Sequence, residues 1–451
     1  MSRSGSSGGR GRPADRRGTP RSARELALDV LTRVETEGAY SNLLLNSALR
    51  REPLSPGDAA LATELVYGTI QRLNTIDYIL SPFLAKSSRQ PAPWVRNLLR
   101  LSVYQLVFLD RIPPHAAVNE AVTIAGHRGH KGIAGLVNAV LRGVARQGMP
   151  AVPADWPASR AIAIRHSHPE WLVSRWIVQF GEAETRAMCA ANNNPPHTSL
   201  RVNPLKTTPD ALIGLLREQG IEAQRSGLSA AGVVVQGGGN MALTVWYEQG
   251  LFSIQDESSM LVAEAVAPEP GMKVLDCCAA PGGKTAHLAE LMRDRGKVYA
   301  IDIHPHKIKL IEEQARRLGL SCIAAEAGDA AHLTEKFGDE RFDRILVDAP
   351  CSGFGVIRRK PDLKWRKSED DIRAVSRLQL EILSEAGKLL KPGGRLVYST
   401  CTVEREENER VIERFLAGHP EYELEGARRI LPHEYGTDGF FIARLHRRPA
   451  G

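Results

Sequence analysis

Two of the chain's six cysteines stand where a thiol could do covalent chemistry: Cys351 in Asp348-Ala349-Pro350-Cys351-Ser352-Gly353, and Cys401 in Ser399-Thr400-Cys401-Thr402. Each follows a run of apolar and β-branched residues, Ile345-Leu346-Val347 and Leu396-Val397-Tyr398, and precedes small or turn-forming ones. That pattern predicts two strands of an open α/β sheet with both thiols at its carboxyl edge, where such folds keep their sites. A thiolate there could attack an electron-poor carbon. A lone cysteine in a strand is more often a buried apolar filler, so the neighbouring residues have to decide.

The decisive neighbours run from Lys273 to Thr285, Lys-Val-Leu-Asp-Cys-Cys-Ala-Ala-Pro-Gly-Gly-Lys-Thr. The order is strand, glycine turn, helix start. Gly282 and Gly283 allow close approach of a ligand, and the helix expected over 286–292 aims its amino end at it. A second strand over 298–301 ends in Asp302, roughly twenty residues past the glycines, where a carboxylate can accept hydrogen bonds from ribose hydroxyls. Gly283-Lys284-Thr285 also ends a nucleoside-triphosphate loop, with Asp348 as its magnesium aspartate. Against that, Cys278 stands where the loop requires glycine, and Pro281 removes a backbone donor from the cradle.

Residues 276–285 (Asp-Cys-Cys-Ala-Ala-Pro-Gly-Gly-Lys-Thr), Asp302, Gly328-Asp329, 348–353 (Asp-Ala-Pro-Cys-Ser-Gly) and 399–402 (Ser-Thr-Cys-Thr), in that order, resemble the S-adenosylmethionine-dependent RNA cytosine-5 methyltransferases. The upstream layout is similar to the bacterial members that act on small-subunit (16S) ribosomal RNA, with a helical domain like that of the antitermination factor NusB in front. The resemblance implies that Cys278, Ala279, Ala280, Pro281, Gly282, Gly283 and Lys284 cradle the methionine part of S-adenosylmethionine. It also implies that Asp302 binds the ribose, Asp329 lies beside the adenine, and Asp348 faces both cofactor and base. Cys401 is then the nucleophile, and Cys351 helps release the product.

The chemistry of cytosine agrees. Carbon 5 becomes nucleophilic only when a thiolate adds at carbon 6 and an acidic or hydrogen-bonding group near N3 stabilises the developing charge. After methyl transfer, a base must take the proton from carbon 5 before the thiolate leaves. A transfer-RNA or other RNA target, and a non-catalytic RNA-binding assembly factor, remain as alternatives. The assembly factor has no chemical need for two thiols and Asp348.

Arg358 to Lys367 holds six cations, one acid and a tryptophan, and is expected to face RNA at the mouth of the same cleft. Cys189, Cys277, Cys278 and Cys322 lack the spacing of a zinc site, so no metal is expected. Free thiols without secretory features point to a reducing cytoplasm, and no apolar run is long enough for a membrane span. A soluble monomer whose partner is ribosomal RNA is the expected state.

The elements that must position these residues form a multidomain chain of 451 residues, 43% of them hydrophobic. The net charge of +7 is misleading, because residues 1–24 carry seven arginines against Asp15, leaving a net of +1 from Glu25 onward. The first stretch is expected to be a disordered basic tail. Its glycine-rich, apolar-poor composition does not make the amphipathic helix of a transit peptide. Over 25–148 the apolar spacing (Leu26, Val30, Val34; Leu61, Leu65, Leu73, Ile76; 98–109) is helical, and prolines at 53, 56, 82, 91, 93, 113 and 114 are expected to separate the helices of an all-α, NusB-like domain. Arg100, Arg128, Lys131, Arg142 and Arg146 form either an RNA-facing patch or ordinary solvated positions.

A proline-rich linker over 150–157 leads to a small α+β module over 158–250, with Arg201 and Asn203 as expected RNA contacts and Trp171 and Trp176 as core. From 251 to 449 an α/β Rossmann-like class I methyltransferase domain is expected. Its strands fall near 273–277, 298–302, 322–326, 343–348 and 394–399, followed by a hairpin around 422–425 and 440–445, with a helix over 372–390 and a turn at 391–394.

Overall fold

The structure is a computed structural model that describes residues 22–52, 54–85 and 90–449. Most of the basic tail and the break at Pro53 therefore lie outside the described residues. The chain divides into two compact units, one holding residues up to 150 except 71–75, the other holding 71–75 and everything from 151.

The first unit is all helical. Ser22 opens the helix Ala23–Glu37 with a capping box, its hydroxyl accepting the Glu25 N–H while the Glu25 carboxylate accepts the Ser22 N–H. Residues 23 and 24, counted in the tail from sequence, are thus helical. Pro56, Pro93 and Pro114 each start a helix, a position where the missing N–H costs nothing. Pro82 departs from expectation, since it lies inside the helix Leu73–Leu84. The Tyr78 carbonyl, one turn before Pro82, accepts the Ser81 hydroxyl at 2.8 Å. Pro93–Phe108 is the central helix, with Val95, Leu98, Leu99, Leu101 and Val103 buried. Arg100 grips Asp77 through two 2.7 Å bonds and Arg128 pairs with Asp29, so these two cations serve the fold.

The second unit begins with helices over 158–191 and continues into a four-stranded antiparallel sheet. Its strands are β1 (Thr198–Val202), β2 (Glu222–Arg225), β3 (Gly232–Gln236) and β4 (Phe252–Ile254), in the order β2-β3-β1-β4. The last of these lies past residue 250, so the small sheet crosses the boundary drawn from sequence. Trp176 is fully buried and its indole N–H donates to Glu404 at 2.7 Å, while Trp171 packs partly buried against the same cluster.

The larger sheet has seven strands: β5 (Lys273–Asp276), β6 (Lys297–Asp302), β7 (Ile323–Ala327), β8 (Phe342–Asp348), β9 (Leu390–Thr400), β10 (Tyr422–Ile430) and β11 (Phe440–Arg447). Their order is β10-β11-β9-β8-β5-β6-β7, parallel from β5 to β9, with β11 inserted antiparallel beside β9. Both faces are covered, so the strands read as continuous apolar runs rather than alternating ones. Ile345 and Val347 pack on one side with Ile382 and Leu383 of the helix Glu369–Lys388, whereas Leu346 and Val397 pack on the other with Val262, Leu288 and Ala289.

The turn expected at 391–394 is an irregularity inside β9. Register jumps from Phe342↔Leu390 to Arg344↔Arg395, and Gly393 takes a φ of +75° that favours glycine.

Candidate active site

The site grows from the carboxyl ends of β5, β6, β8 and β9. After β5 the chain turns through Cys277–Gly282 into the helix Gly283–Leu291, which starts three residues earlier than the sequence pattern suggests. Gly282 has φ +99°, and a Cβ there would sit 3.0 Å from the Ile311 Cα, so only glycine fits the turn. The tip of β6 holds the loop down: Asp302 accepts the Ala280 N–H at 3.2 Å and the His304 N–H at 3.0 Å. Asp329, past the end of β7, caps a short turn through the Ala331 N–H at 2.9 Å.

Beneath the turn, Asp276 is buried, with one oxygen accepting the Thr285 hydroxyl at 2.7 Å and the other without a partner. Burial pushes its carboxyl up to about 7. Burial first, then the charges of Asp276, Asp348, Asp302 and Asp329, push the Cys278 thiol well above its ordinary value. Asp302, Asp329 and Asp348, each singled out from sequence, therefore lie near enough to act on one sulfur, that of Cys278.

Asp348 ends β8 and joins the two halves of the site. Its carboxylate accepts Lys284 Nζ at 2.7 Å and the Ser399 hydroxyl at 2.8 Å, and Ser399 is its register partner on β9. Burial alone would lower the Lys284 pKa, but the Asp348 charge and hydrogen bond raise it, keeping the ammonium charged.

Two residues past Ser399, the Cys401 sulfur lies 3.2 Å from that of Cys351. The hydrogen bond between them splits their titration. It lowers Cys401 against burial and the Asp348 charge, helped by the charges of Lys284 and Lys360, and together with burial it drives Cys351 well above the ordinary thiol range. By contrast, burial pushes Cys189 and Cys322 up to about 12 and raises Cys277 well above its usual value. One thiol of the six is poised toward thiolate, the form that acts as nucleophile.

The backbone on either side of each thiol is pinned. Gln379 donates to the Pro350 carbonyl at 2.8 Å, and Glu407 accepts the Ser352 N–H at 2.8 Å. Asn408 accepts the Thr400 hydroxyl at 2.5 Å and donates to the Thr402 carbonyl at 3.0 Å. Sequence reasoning missed Ser399, Gln379, Glu407 and Asn408. The polar run Glu406-Glu407-Asn408, so close behind the second thiol, was the available signal.

Three cations of the basic stretch are not arranged as expected. Arg358 bonds Asp438 at 2.9 Å, Arg359 bonds Asp438 at 2.7 Å and Asp256 at 2.8 Å, and Lys364 is buried with its Nζ on the carbonyls of Gln71 and Ser167. Burial lowers Lys364 to about 7. Lys360, by contrast, is exposed.

The expected RNA contacts Arg201 and Asn203 are likewise fully buried. Arg201 bonds both oxygens of Glu290, at 2.9 and 3.0 Å, and the Gly283 carbonyl at 2.7 Å. Asn203 donates to the carbonyls of Gly250 and Leu318 at 3.1 and 3.2 Å. Each cation finds an acid or carbonyl distant in sequence, which a local charge count cannot foresee.

A glycine turn after the central strand, acids at the tips of the next two, and an antiparallel strand inserted at one side define a Rossmann-like domain of the methyltransferase type. Comparison sharpens that class. Residues 263–446 match the model of the 16S rRNA methyltransferase RsmB/F family, 21–146 the NusB family, and 168–242 the RsmF/B-like ferredoxin-like domain.

The chain is 47% identical to the probable ribosomal RNA small subunit methyltransferase B of Bacillus subtilis, over 95% of this chain and 99% of that relative. It is 36% identical to the one of Synechocystis, over 94% and 99%. A solved methyltransferase homolog from Pyrococcus horikoshii superposes with a TM-score of 0.59 at 31% identity, covering 65% of this chain and 99% of that one. The chain belongs to the RsmB/F family of 16S rRNA methyltransferases and is an enzyme of that class. No helix among the described residues is long and apolar enough to cross a membrane.

Proposed function

We propose that this enzyme transfers a methyl group from S-adenosylmethionine to carbon 5 of a cytidine in small-subunit ribosomal RNA, through a covalent bond between Cys401 and carbon 6. The observation that carries the reading is the thiol pair: two sulfurs 3.2 Å apart beside Asp348, of which only Cys401 is lowered. The family and its curated relatives, named for the small ribosomal subunit, support the RNA target.

The residues at the strand tips fit S-adenosylmethionine. A Cβ on Gly283 would meet nothing nearer than the Gln255 amide at 3.9 Å, so the backbone there is open to a ligand, the start of the helix Gly283–Leu291 suits a carboxylate, and a buried Asp276 oxygen lacks a partner among the described residues. Asp302 and Asp329 suit hydroxyl and amine donors. Bound there, S-adenosylmethionine supplies the methyl group as an electrophile.

The chain's own residues do the rest. Cys401 thiolate forms the bond to carbon 6, and the displaced electron pair makes carbon 5 nucleophilic. Asp348, held by Lys284 and Ser399, suits the exocyclic amine of the base as an acceptor, and the Lys284 ammonium beside it favours the negative charge that develops on the ring. After carbon 5 has accepted the methyl, a base removes its proton. The returning electron pair restores the ring double bond and expels the Cys401 sulfur, which regains the hydrogen bond from the Cys351 thiol. The helical domain over 25–148 and the module over 158–250 are the parts proposed to hold the RNA.

Unmethylated small-subunit RNA and transfer RNA, each incubated with the enzyme and S-adenosylmethionine, test the reading. Bisulfite sequencing should report a newly protected cytidine. Protection confined to transfer RNA would overturn the proposed target, and methylation without bisulfite protection would overturn the carbon-5 chemistry.

A further inference from the structure

Glu407 and Asn408 are consecutive, both fully buried, and neither is used by the mechanism above. Asn408 spans Cys401: its amide oxygen takes the Thr400 hydroxyl at 2.5 Å and its amide nitrogen gives to the Thr402 carbonyl at 3.0 Å, one residue before and one after the sulfur. Glu407 treats Cys351 in the same way, with Gln379 as its partner. One Glu407 oxygen accepts the Ser352 N–H at 2.8 Å and the Gln379 amide at 3.1 Å, and that amide also donates to the Pro350 carbonyl at 2.8 Å. The two brackets meet where the Ser352 and Thr402 hydroxyls pair at 2.9 Å, and the Tyr398 hydroxyl ties the Glu407 carbonyl to β9 at 2.6 Å.

A buried carboxyl group and a buried amide that hold three of the four flanks of two reactive residues directly, and the fourth through Gln379, make a costly arrangement for packing alone. We infer that Glu407 and Asn408 are a divided pair of positioning residues, Asn408 setting the attacking thiol and Glu407, through Gln379 and Ser352, setting the release thiol. The inference rests on the covalent reading above and assigns the two steps to separate supports. The sulfur separation is then fixed from one short stretch of backbone. A single shift there would disturb both steps, whereas side-chain substitutions should disturb them one at a time.

The test uses the full chain with small-subunit RNA and S-adenosylmethionine, reading multiple turnover, first-turnover methyl transfer and covalent protein–RNA adduct on a denaturing gel. Glu407→Ala should lose about tenfold or more in multiple turnover, keep first-turnover transfer and accumulate adduct. Glu407→Gln, whose amide keeps an acceptor toward Ser352, should restore most of the turnover. Asn408→Ala should lose first-turnover transfer and adduct together.

Cofactor binding measured on each variant separates these outcomes from misfolding. Should Glu407→Ala fail to bind cofactor, Gln379→Met, which keeps volume and removes the bond to Pro350, carries the same expectation of trapped adduct. Cys351→Ala run alongside keeps the parent reading distinct: if it traps adduct while the Glu407 and Gln379 variants do not, the divided support is wrong and the covalent mechanism stands. If Cys351→Ala traps nothing, the release role fails and this inference falls with it.

Discussion

Cys351 and Cys401 follow neighbouring strands, are both half-buried and lie 3.2 Å apart, yet their pKa values are displaced in opposite directions. Burial acts against the thiolate at both. The difference is in the company: the hydrogen bond between them favours charge on Cys401 over Cys351, Lys284 and Lys360 favour it at Cys401, and Glu407 disfavours it at Cys351, while Asp348 disfavours it at both. Position at a sheet edge makes a thiol available. Under the covalent mechanism proposed above, the hydrogen bond and nearby charge select which of two available thiols attacks.

The comparison breaks most cleanly at the sulfurs themselves. Cys401→Ala should abolish methyl transfer and form no adduct, because carbon 6 is never attacked. Cys351→Ala should still transfer and then accumulate a protein–RNA adduct that survives denaturing electrophoresis. Adduct from Cys401→Ala and none from Cys351→Ala would reverse the roles.

Asp302→Ala leaves both thiols alone and should weaken cofactor binding roughly 10- to 100-fold, since hydrogen bonds to a charged acceptor contribute about 1.5–3 kcal/mol each. Calorimetric titration with S-adenosylmethionine checks it, and an unchanged dissociation constant would remove Asp302 from the site.

Lys284→Met sharpens the contrast at smaller scale. Thiolate is the active form, so the first-turnover rate should rise with pH up to the Cys401 pKa and then level off. Lys284 lowers that pKa, so without it the shoulder should move to higher pH and transfer at neutral pH should slow. An unmoved shoulder would show that Lys284 is not among the groups that set the nucleophile.

Much of this was legible in the sequence, for local reasons. Ile345-Leu346-Val347 and Leu396-Val397-Tyr398 are buried on both sheet faces, so their apolar runs announce strands whose ends announce the site. The glycine turn, Asp302 and the two thiol motifs each declare themselves within a few residues.

What stayed hidden depends on partners far along the chain. Arg358 and Arg359 look like a solvated patch until Asp438 and Asp256 arrive, and Ser399 gains its meaning only when β9 pairs with β8. The short strands β2 and β4 carry too little periodic signal to be seen. Pro82 shows the converse, a strong local breaker that the helix Leu73–Leu84 accommodates near its end.

The Arg201 contacts bear on how the enzyme can be cut and recombined. Every motif of the thiol and cofactor site lies after residue 251, which invites expression of that part alone. Such a fragment would lose β1 and leave Glu290, fully enclosed, without its guanidinium, and the Gly283 carbonyl without its donor. Removing one partner of a buried pair costs about 3–5 kcal/mol, a large share of the roughly 5–15 kcal/mol that holds a domain folded. The smallest autonomous catalyst therefore starts upstream of Arg201, and a chimera between two such enzymes must inherit the small sheet and the catalytic sheet from the same parent as one cassette.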